Sequence, residues 1–339
     1  MNDIAIDLGT SSVQVYVKGK GVIIEEPSVV AVEKTSGKVL KVGREAELML
    51  GRTPGNILAV RPLVGGVISD YDATLVLLKS LIKRSSGQSF FKPNVIICVP
   101  SSITEVEERA ICDAAICAGA KRTYLIEGPV ASAIGAGVDI SKPVGNLVVD
   151  IGGGTTDVAV ISMHNVVTCE SIKIAGDAIN EAIIKYIRRK YNMLIGERTA
   201  EEVKLSIGCA WPAERPSFME VKGRCLIEGL PKMINVSSQE LLEAIEEPVT
   251  SIVNAICAVI ERTPPELVGD IAAAGIVMTG GSSHLFGLDK LVEHVTGIRT
   301  FIAENPDKCG AIGAGRTLDS LSGKTPGTIN LARQKQERL

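Results

Sequence analysis

Aromatic residues are scarce: the 339-residue chain holds one Trp (Trp211), five Tyr and five Phe. So few rings cannot build a base-stacking platform. With 36 basic residues against 39 acidic ones there is no Lys/Arg stripe for a phosphate backbone either, so nucleic acid is not an expected partner. Histidine occurs three times, as His164, His284 and His294, with no nearby carboxylate or thiol pattern, and these are expected as surface or loop residues. The eight cysteines (Cys98, Cys112, Cys117, Cys169, Cys209, Cys225, Cys257 and Cys309) lack CxxC spacing, and Cys98 falls inside the apolar run Val95 to Val99. Buried reduced thiols are expected, rather than disulfides or zinc ligands. No apolar stretch approaches the roughly 20 residues of a spanning helix. The N-terminus reaches Asp3 and Asp7 without a signal-peptide core, so a soluble cytoplasmic protein is expected.

What the chain does contain is one pattern written twice. An apolar strand, Ile4-Ala5-Ile6, runs into Asp7-Leu8-Gly9-Thr10-Ser11-Ser12; another, Asn146-Leu147-Val148-Val149, runs into Asp150-Ile151-Gly152-Gly153-Gly154-Thr155-Thr156. The glycines permit a tight turn that aims several backbone N–H groups at one anion, and the hydroxyls add donors. The aspartates cannot ligate phosphate, because like charges repel, but they suit Mg²⁺ held through its water shell. Either turn alone is a common hairpin. A matched pair 143 residues apart (150 − 7) predicts a two-lobed phosphate clamp that binds Mg²⁺ with ATP or GTP. The length also suits two similar lobes better than one core.

Strands alternate with helices along the chain, which predicts α/β layers with helices on both sheet faces. Residues 3–33 read as strands and turns, 72–84 as a helix, and Val95 to Val99 as a buried strand ending at Pro100. Thr104-Glu105-Val106-Glu107 opens a helix as a capping box, with Gly119 as its terminal cap. A helix is expected from Gly176 to Tyr191, and a second capping box at Thr199-Ala200-Glu201-Glu202 leads a helix to Ile207. A third, at Ser237-Ser238-Gln239-Glu240, starts one long helix through Ile260. The strand Gly275 to Met278 then enters the glycine turn Thr279-Gly280-Gly281-Ser282-Ser283. The tail from about Leu321, rich in Ser, Gly, Pro, Thr and Gln, is expected to be disordered.

Further segments have no generic nucleotide role: Leu50-Gly51-Arg52-Thr53-Pro54-Gly55-Asn56-Ile57, Arg61-Pro62-Leu63, Ile195-Gly196-Glu197-Arg198-Thr199-Ala200-Glu201 and Arg262-Thr263-Pro264-Pro265-Glu266-Leu267. Together with the phosphate turns they resemble the MreB family of bacterial actin homologues, within the actin, heat-shock chaperone and sugar-kinase ATPase superfamily, over about residues 2–320. The resemblance implies an α/β actin-like ATPase fold of two duplicated lobes around a nucleotide cleft. Lobe I would span 1–142 with a small insertion at 30–71, lobe II 143–312 with an insertion at 179–242, and 313–320 would be a helix returning to lobe I before the tail 321–339. It further implies that Gly9, Thr10 and Ser11 from one lobe and Gly152, Gly153 and Gly154 from the other touch the phosphates. Asp7 and Asp150 would order Mg²⁺, with Thr155 near the attacking water. Glu201 and Lys204 would face ribose or adenine, and Gly280 and Gly281 the nucleotide's far side.

Outside the cleft, the resemblance implies homopolymeric filaments on the inner face of the cytoplasmic membrane that guide cell-wall elongation proteins and set cell shape. Phe90 and Phe91 would form a membrane-insertion loop, and Val106 an apolar contact pairing filaments antiparallel. The alternatives are a monomeric small-molecule kinase, against which the non-nucleotide segments speak, and a chaperone-type ATPase, for which too little chain follows the last core helix. Three departures stand out. Ser11-Ser12 replaces the family's Ala-Asn, and the glycine triplet is reduced to Gly280-Gly281-Ser282. The Glu-Glu-Pro motif reads Glu127-Gly128-Pro129, without the second glutamate, whose counterpart orients the attacking water. Either Glu127 substitutes or hydrolysis is slowed.

Overall fold

The computed structural model of the protein describes residues 3–87, 91–321 and the pair 333–334. The chain opens with an antiparallel meander of β1 (Ile4–Leu8), β2 (Ser12–Val17) and β3 (Gly21–Pro27). It leaves for a small sheet of β4 (Val30–Glu33), β5 (Val39–Val42) and β6 (Ile57–Val60), with the short helix α1 (Arg44–Glu47). The hairpin β7 (Leu63–Val64) and β8 (Val67–Ile68) and helix α2 (Tyr71–Ser86) bring it back as β9 (Asn94–Val99), parallel to β1. Helix α3 (Glu105–Cys117) crosses to β10 (Arg122–Glu127), parallel to β9, and α4 (Gly128–Gly135) follows.

The second half repeats the scheme. A meander of β11 (Asn146–Ile151), β12 (Thr156–Ser162) and β13 (Asn165–Ile172) leads to α5 (Gly176–Tyr191). An excursion holds β14 (Met193–Leu194), α6 (Glu197–Ile207), β15 (Phe218–Cys225) and β16 (Pro231–Ser237). Helices α7 (Ser238–Ala244), α8 (Glu246–Arg262) and α9 (Pro265–Ala274) return to β17 (Ile276–Thr279), and α10 (Leu288–Thr296) to β18 (Thr300–Ile302). Helix α11 (Cys309–Leu321) and the two-residue strand β19 (Arg333–Gln334) complete the described chain. The strand orders, β19-β10-β9-β1-β2-β3 and β13-β12-β11-β17-β18, are the same apart from β19.

Alternating side chains explain how both faces of each sheet are buried. Ile4, Ile6 and Leu8 of β1 join Val95, Ile97 and Val99 of β9 in a core under α2 and α3. Leu147, Val149 and Ile151 of β11 do the same under α5 and α8. The intervening residues, Ala5, Ile96 and Cys98 on one sheet and Val148, Ala159 and Ile161 on the other, share a third core with Ala131 of α4 and Ala314 and Leu318 of α11. The sheets are thus joined through two helices. These cross so closely that a Cβ on Gly313 would overlap the Ala131 carbonyl, and one on Gly135 the Cys309 carbonyl. Gly313→Ala is therefore expected to destabilise the fold by about 1–3 kcal/mol, because over-packing must push the helices apart. Chemical denaturation measures this; an unchanged midpoint would mean that the close crossing is not required.

Two capping boxes form as the sequence predicts. Thr104 accepts from the Glu107 N–H while its own N–H donates to Glu107 at 2.8 Å, and Ser237 and Glu240 repeat the pattern. The third does not: α6 starts at Glu197 behind Gly196, with no side-chain cap, so Thr199 lies inside the helix. Arg198 pairs with Glu202 at 3.0 Å across one turn, which requires both to be helical already. The single long helix expected after Ser237 is two, split at Ile245, since Pro248 has no N–H to donate to the Ala244 carbonyl. The last helix starts at Cys309, four residues before the expected 313. Most of the tail expected to be disordered lies outside the described residues, but Arg333 and Gln334 pair antiparallel with Leu125 and Tyr124 of β10, satisfying an otherwise open sheet edge. All eight cysteines are free; five are buried, Cys169 and Cys257 are half-buried and Cys117 is exposed. No helix among the described residues is long and apolar enough to cross a membrane.

Candidate functional site

The sequence repeat is a repeat of register. Asp7 of β1 sits opposite Gln14 on β2 and Cys98 on β9; Asp150 of β11 sits opposite Asp157 on β12 and Thr279 on β17. The turns that follow close with the same hydrogen bond, Gly9 N–H to Ser12 O at 3.1 Å and Gly152 N–H to Thr155 O at 2.9 Å. Each pair of positions is offset by the same 143 residues as the aspartates (152 − 9, 155 − 12). The turns also touch each other: a Cβ on Gly153 would overlap the Ser11 side chain, and one on Gly154 that of Thr10. Glycine is required here because one backbone must approach the other lobe's hydroxyls.

The turns line one cavity of about 660 Å³, and its wall includes Asp7, Gly9, Thr10 and Ser11 from the first half and Asp150, Gly152, Gly153, Gly154 and Thr155 from the second. Burial, then the charge of Asp150, raises the Asp7 pKa to about 7. Burial and Asp157 raise that of Asp150 to about 6, against the lowering effect of the Ser132 hydroxyl, which donates to it at 2.6 Å, and of Thr279. The Cys98 thiol is pushed up by burial and by both aspartates. Two carboxylates whose ionised forms are this disfavoured fit a divalent cation, which would reverse the electrostatic cost. Glycines pack beside them, Gly280 against Asp150 and Gly310 against Asp7, where an added Cβ would lie 2.5 Å from a carboxylate oxygen.

Away from the paired turns the wall mixes apolar side chains, Leu205, Ile207, Leu285 and Phe286, with a polar cluster. Lys204 pairs with Glu201 at 2.8 Å and donates to the Gly176 carbonyl at 3.2 Å, while Asn180 donates to Glu201 at 2.6 Å. Gly280, at φ 82°, turns the chain out of β17, and Gly281 follows it in the wall. Ser282 donates to the Gly152 carbonyl at 2.7 Å, tying this third glycine turn to the second. Every cleft residue expected from the sequence reaches the wall except Glu127. Its neighbour Gly128 does reach it, whereas Glu127 ends β10 as the residue before α4 and lies near enough to Cys169 to raise that thiol's pKa.

Among the charged wall residues, sequence reasoning misses Glu47, Arg61, Asp157, Asp177 and Asp307. Arg61 lies in a segment quoted only for its resemblance, and Asp157 directly follows the second turn. Asp177 looks like an ordinary acid in a helix first turn. Away from the cleft, Phe90 lies outside the described residues and Phe91 is 71% exposed. Val106 is 79% exposed, on the side of α3 opposite its buried Ile111, Ala114 and Ala115, so it is not a core residue.

Two sheets of the same strand order, joined through α4 and α11 and meeting in a cleft of glycine turns, define an α/β actin-like protein. The chain belongs to the MreB/Mbl family: the family model described as MreB/Mbl protein matches residues 1–325. It is 51% identical over 320 residues to the cell shape-determining protein Mbl of Bacillus subtilis (strain 168), covering 94% of this chain and 96% of that one. It is 48% identical over 326 residues to the cell shape-determining protein MreB of Escherichia coli (strain K12), covering 94% of each. Among solved structures, MreB 5 of Spiroplasma citri bound to AMPPNP superposes with a TM-score of 0.90 at 37% identity, covering 94% of this chain and 96% of that one.

Proposed function

We propose that the chain binds Mg²⁺ and ATP in the cleft and assembles on them into filaments of its own copies. These lie on the inner face of the cytoplasmic membrane and guide cell-wall elongation proteins, so setting cell shape. The observation that carries the reading is the register repeat: two turns with the same hydrogen bond and offset touch across one cavity, with an aspartate behind each. The relative bound to AMPPNP supports the choice of an adenine nucleotide. In this reading the turn amides and the Thr10 and Ser11 hydroxyls hold the phosphates, Glu201 and Lys204 face the nucleoside, and Gly280 and Gly281 cover its far side. Asp7 and Asp150 would hold Mg²⁺, and the ion would supply charge neutralisation of the phosphates. Thr155 stands by the attacking water, and the missing side chain at Gly128 makes turnover slow.

Assembly and membrane contact rest on the surface residues. Val106 is an exposed valine on a polar helix face and is assigned to antiparallel pairing; Phe91, with Phe90, is assigned to lipid. Sedimentation with Mg²⁺–ATP tests the reading, repeated with liposomes and viewed by electron microscopy. Filaments are expected to pellet only with nucleotide, to bind liposomes, and to appear paired. Val106→Glu should leave single filaments. A chain that stays monomeric at high Mg²⁺–ATP overturns the assembly reading, and paired Val106→Glu filaments overturn the pairing assignment.

A further inference from the structure

The cavity wall carries seven acidic side chains, and among its described residues the fixed cations are Arg61 and Lys204. Lys204 is engaged by Glu201 and the Gly176 carbonyl at the nucleoside end. Arg61 stands at the phosphate end: its Nη1 donates to the Ser11 hydroxyl at 3.3 Å and faces Asp177 at 3.8 Å. Ser11 in turn donates to Asp177 at 3.3 Å, and its side chain lies against Gly153, so the guanidinium stands at the seam between the two phosphate turns.

Placement of the rest of the segment agrees independently. The Gly66 N–H donates to the Thr10 hydroxyl at 3.0 Å, and a Cβ on Gly66 would come within 2.9 Å of the Thr155 methyl. Residues 61–66 therefore run past both turns, touching the first half of the chain and the second. Both contacts of Arg61 are longer than the roughly 2.7–2.9 Å of a strong charge-assisted bond. Both contacts run through Nη1, so among the described residues the other donors of the guanidinium fork are open to a further acceptor.

We propose that Arg61 reads the terminal phosphate and so determines preference for a nucleoside triphosphate over a diphosphate. The assignment rests on the nucleotide reading of the cleft given above. With a triphosphate the fork grips oxygens of the last phosphoryl group; with a diphosphate it stays with Ser11 and Asp177. Asp177 is bound to the second turn, its N–H donating to the Gly153 carbonyl at 2.8 Å. The terminal phosphate thus replaces a direct link between the halves with one that runs through the ligand.

Calorimetric titration of the full chain with AMPPNP and with ADP, both with Mg²⁺, tests this in wild type, Arg61→Gln and Arg61→Lys. Arg61→Gln is expected to lose about 10- to 100-fold in AMPPNP affinity while ADP affinity changes by less than about 3-fold. Arg61→Lys should restore only part, because an ammonium lacks the fork. Equal losses for both nucleotides, or an unchanged ratio, overturn the assignment. If Arg61→Gln fails to fold, Arg61→Lys decides: a selective loss of AMPPNP affinity supports the assignment and an unchanged ratio overturns it. A wild type that binds neither nucleotide overturns the cleft reading itself, and this assignment with it.

Discussion

Gly128→Glu is expected to raise the rate of phosphate release on the order of 100-fold, with nucleotide affinity changed by less than about 3-fold. Gly128 is in the cavity wall at the first position of α4, and a Cβ built there would meet only the Val99 carbonyl, at an ordinary 3.5 Å. A carboxylate at that position also faces the positive end of the helix dipole, which favours it. A group that orients or deprotonates water acts in the transition state and adds little to ground-state binding, so the gain should fall on turnover. Glu127→Ala is the matching control, expected to change the rate by less than about 2-fold because Glu127, unlike Gly128, is not part of the cavity wall. A large loss with Glu127→Ala and no gain with Gly128→Glu would place the chemistry on Glu127 instead.

Asp150→Asn should weaken Mg²⁺–ATP binding by about 10- to 100-fold if Asp150 anchors the ion as proposed, since an amide keeps the shape and the Ser132 hydrogen bond but not the charge. Binding measured without Mg²⁺ should change by less than about 3-fold, which separates an ion anchor from a damaged pocket. The raised pKa values give the pH dependence a sign. Asp7 titrates at about 7 and Asp150 at about 6, so lowering the pH through 7 to 6 puts protons where the cation must act, and Mg²⁺–ATP affinity should fall. Stability without ligand should run the other way. Carboxyls whose folded pKa lies above the unfolded value of 3.8 oppose folding progressively as pH rises from about 4 to 7. Asp150→Asn should therefore raise the melting midpoint of the ligand-free protein at pH 8. A variant with neither effect would place Asp150 outside the ion site.

The two glycine turns are legible because their pattern is local: each strand, aspartate and glycine turn lies within about ten consecutive residues. The α/β layering was legible from strand–helix alternation, and two of three helix starts from capping chemistry completed within four residues. What the sequence hid is long-range or competitive. Ser11 meets Asp177 across 166 residues and Arg61 across 50, and no local pattern announces either contact. The start of α6 is hidden because the Thr199 pattern reads alike at a helix start and inside one; the helix begins at Glu197, and Arg198 and Glu202 pair across the turn the pattern would leave out. The break at Ile245 was hidden by an apolar periodicity that continues through it, though Pro248 stood in the sequence as a signal. Val106 illustrates the same limit: apolar character alone did not separate a buried helix face from an exposed one.

The paired aspartates and glycine turns are proposed to form one magnesium–nucleotide site. Calorimetric titration of the wild-type chain with ATP, with Mg²⁺ and again with EDTA, tests it directly. Saturable binding of one ATP per chain that weakens at least about 10-fold when Mg²⁺ is removed is expected. No binding, or binding of equal strength with and without the metal, would contradict it.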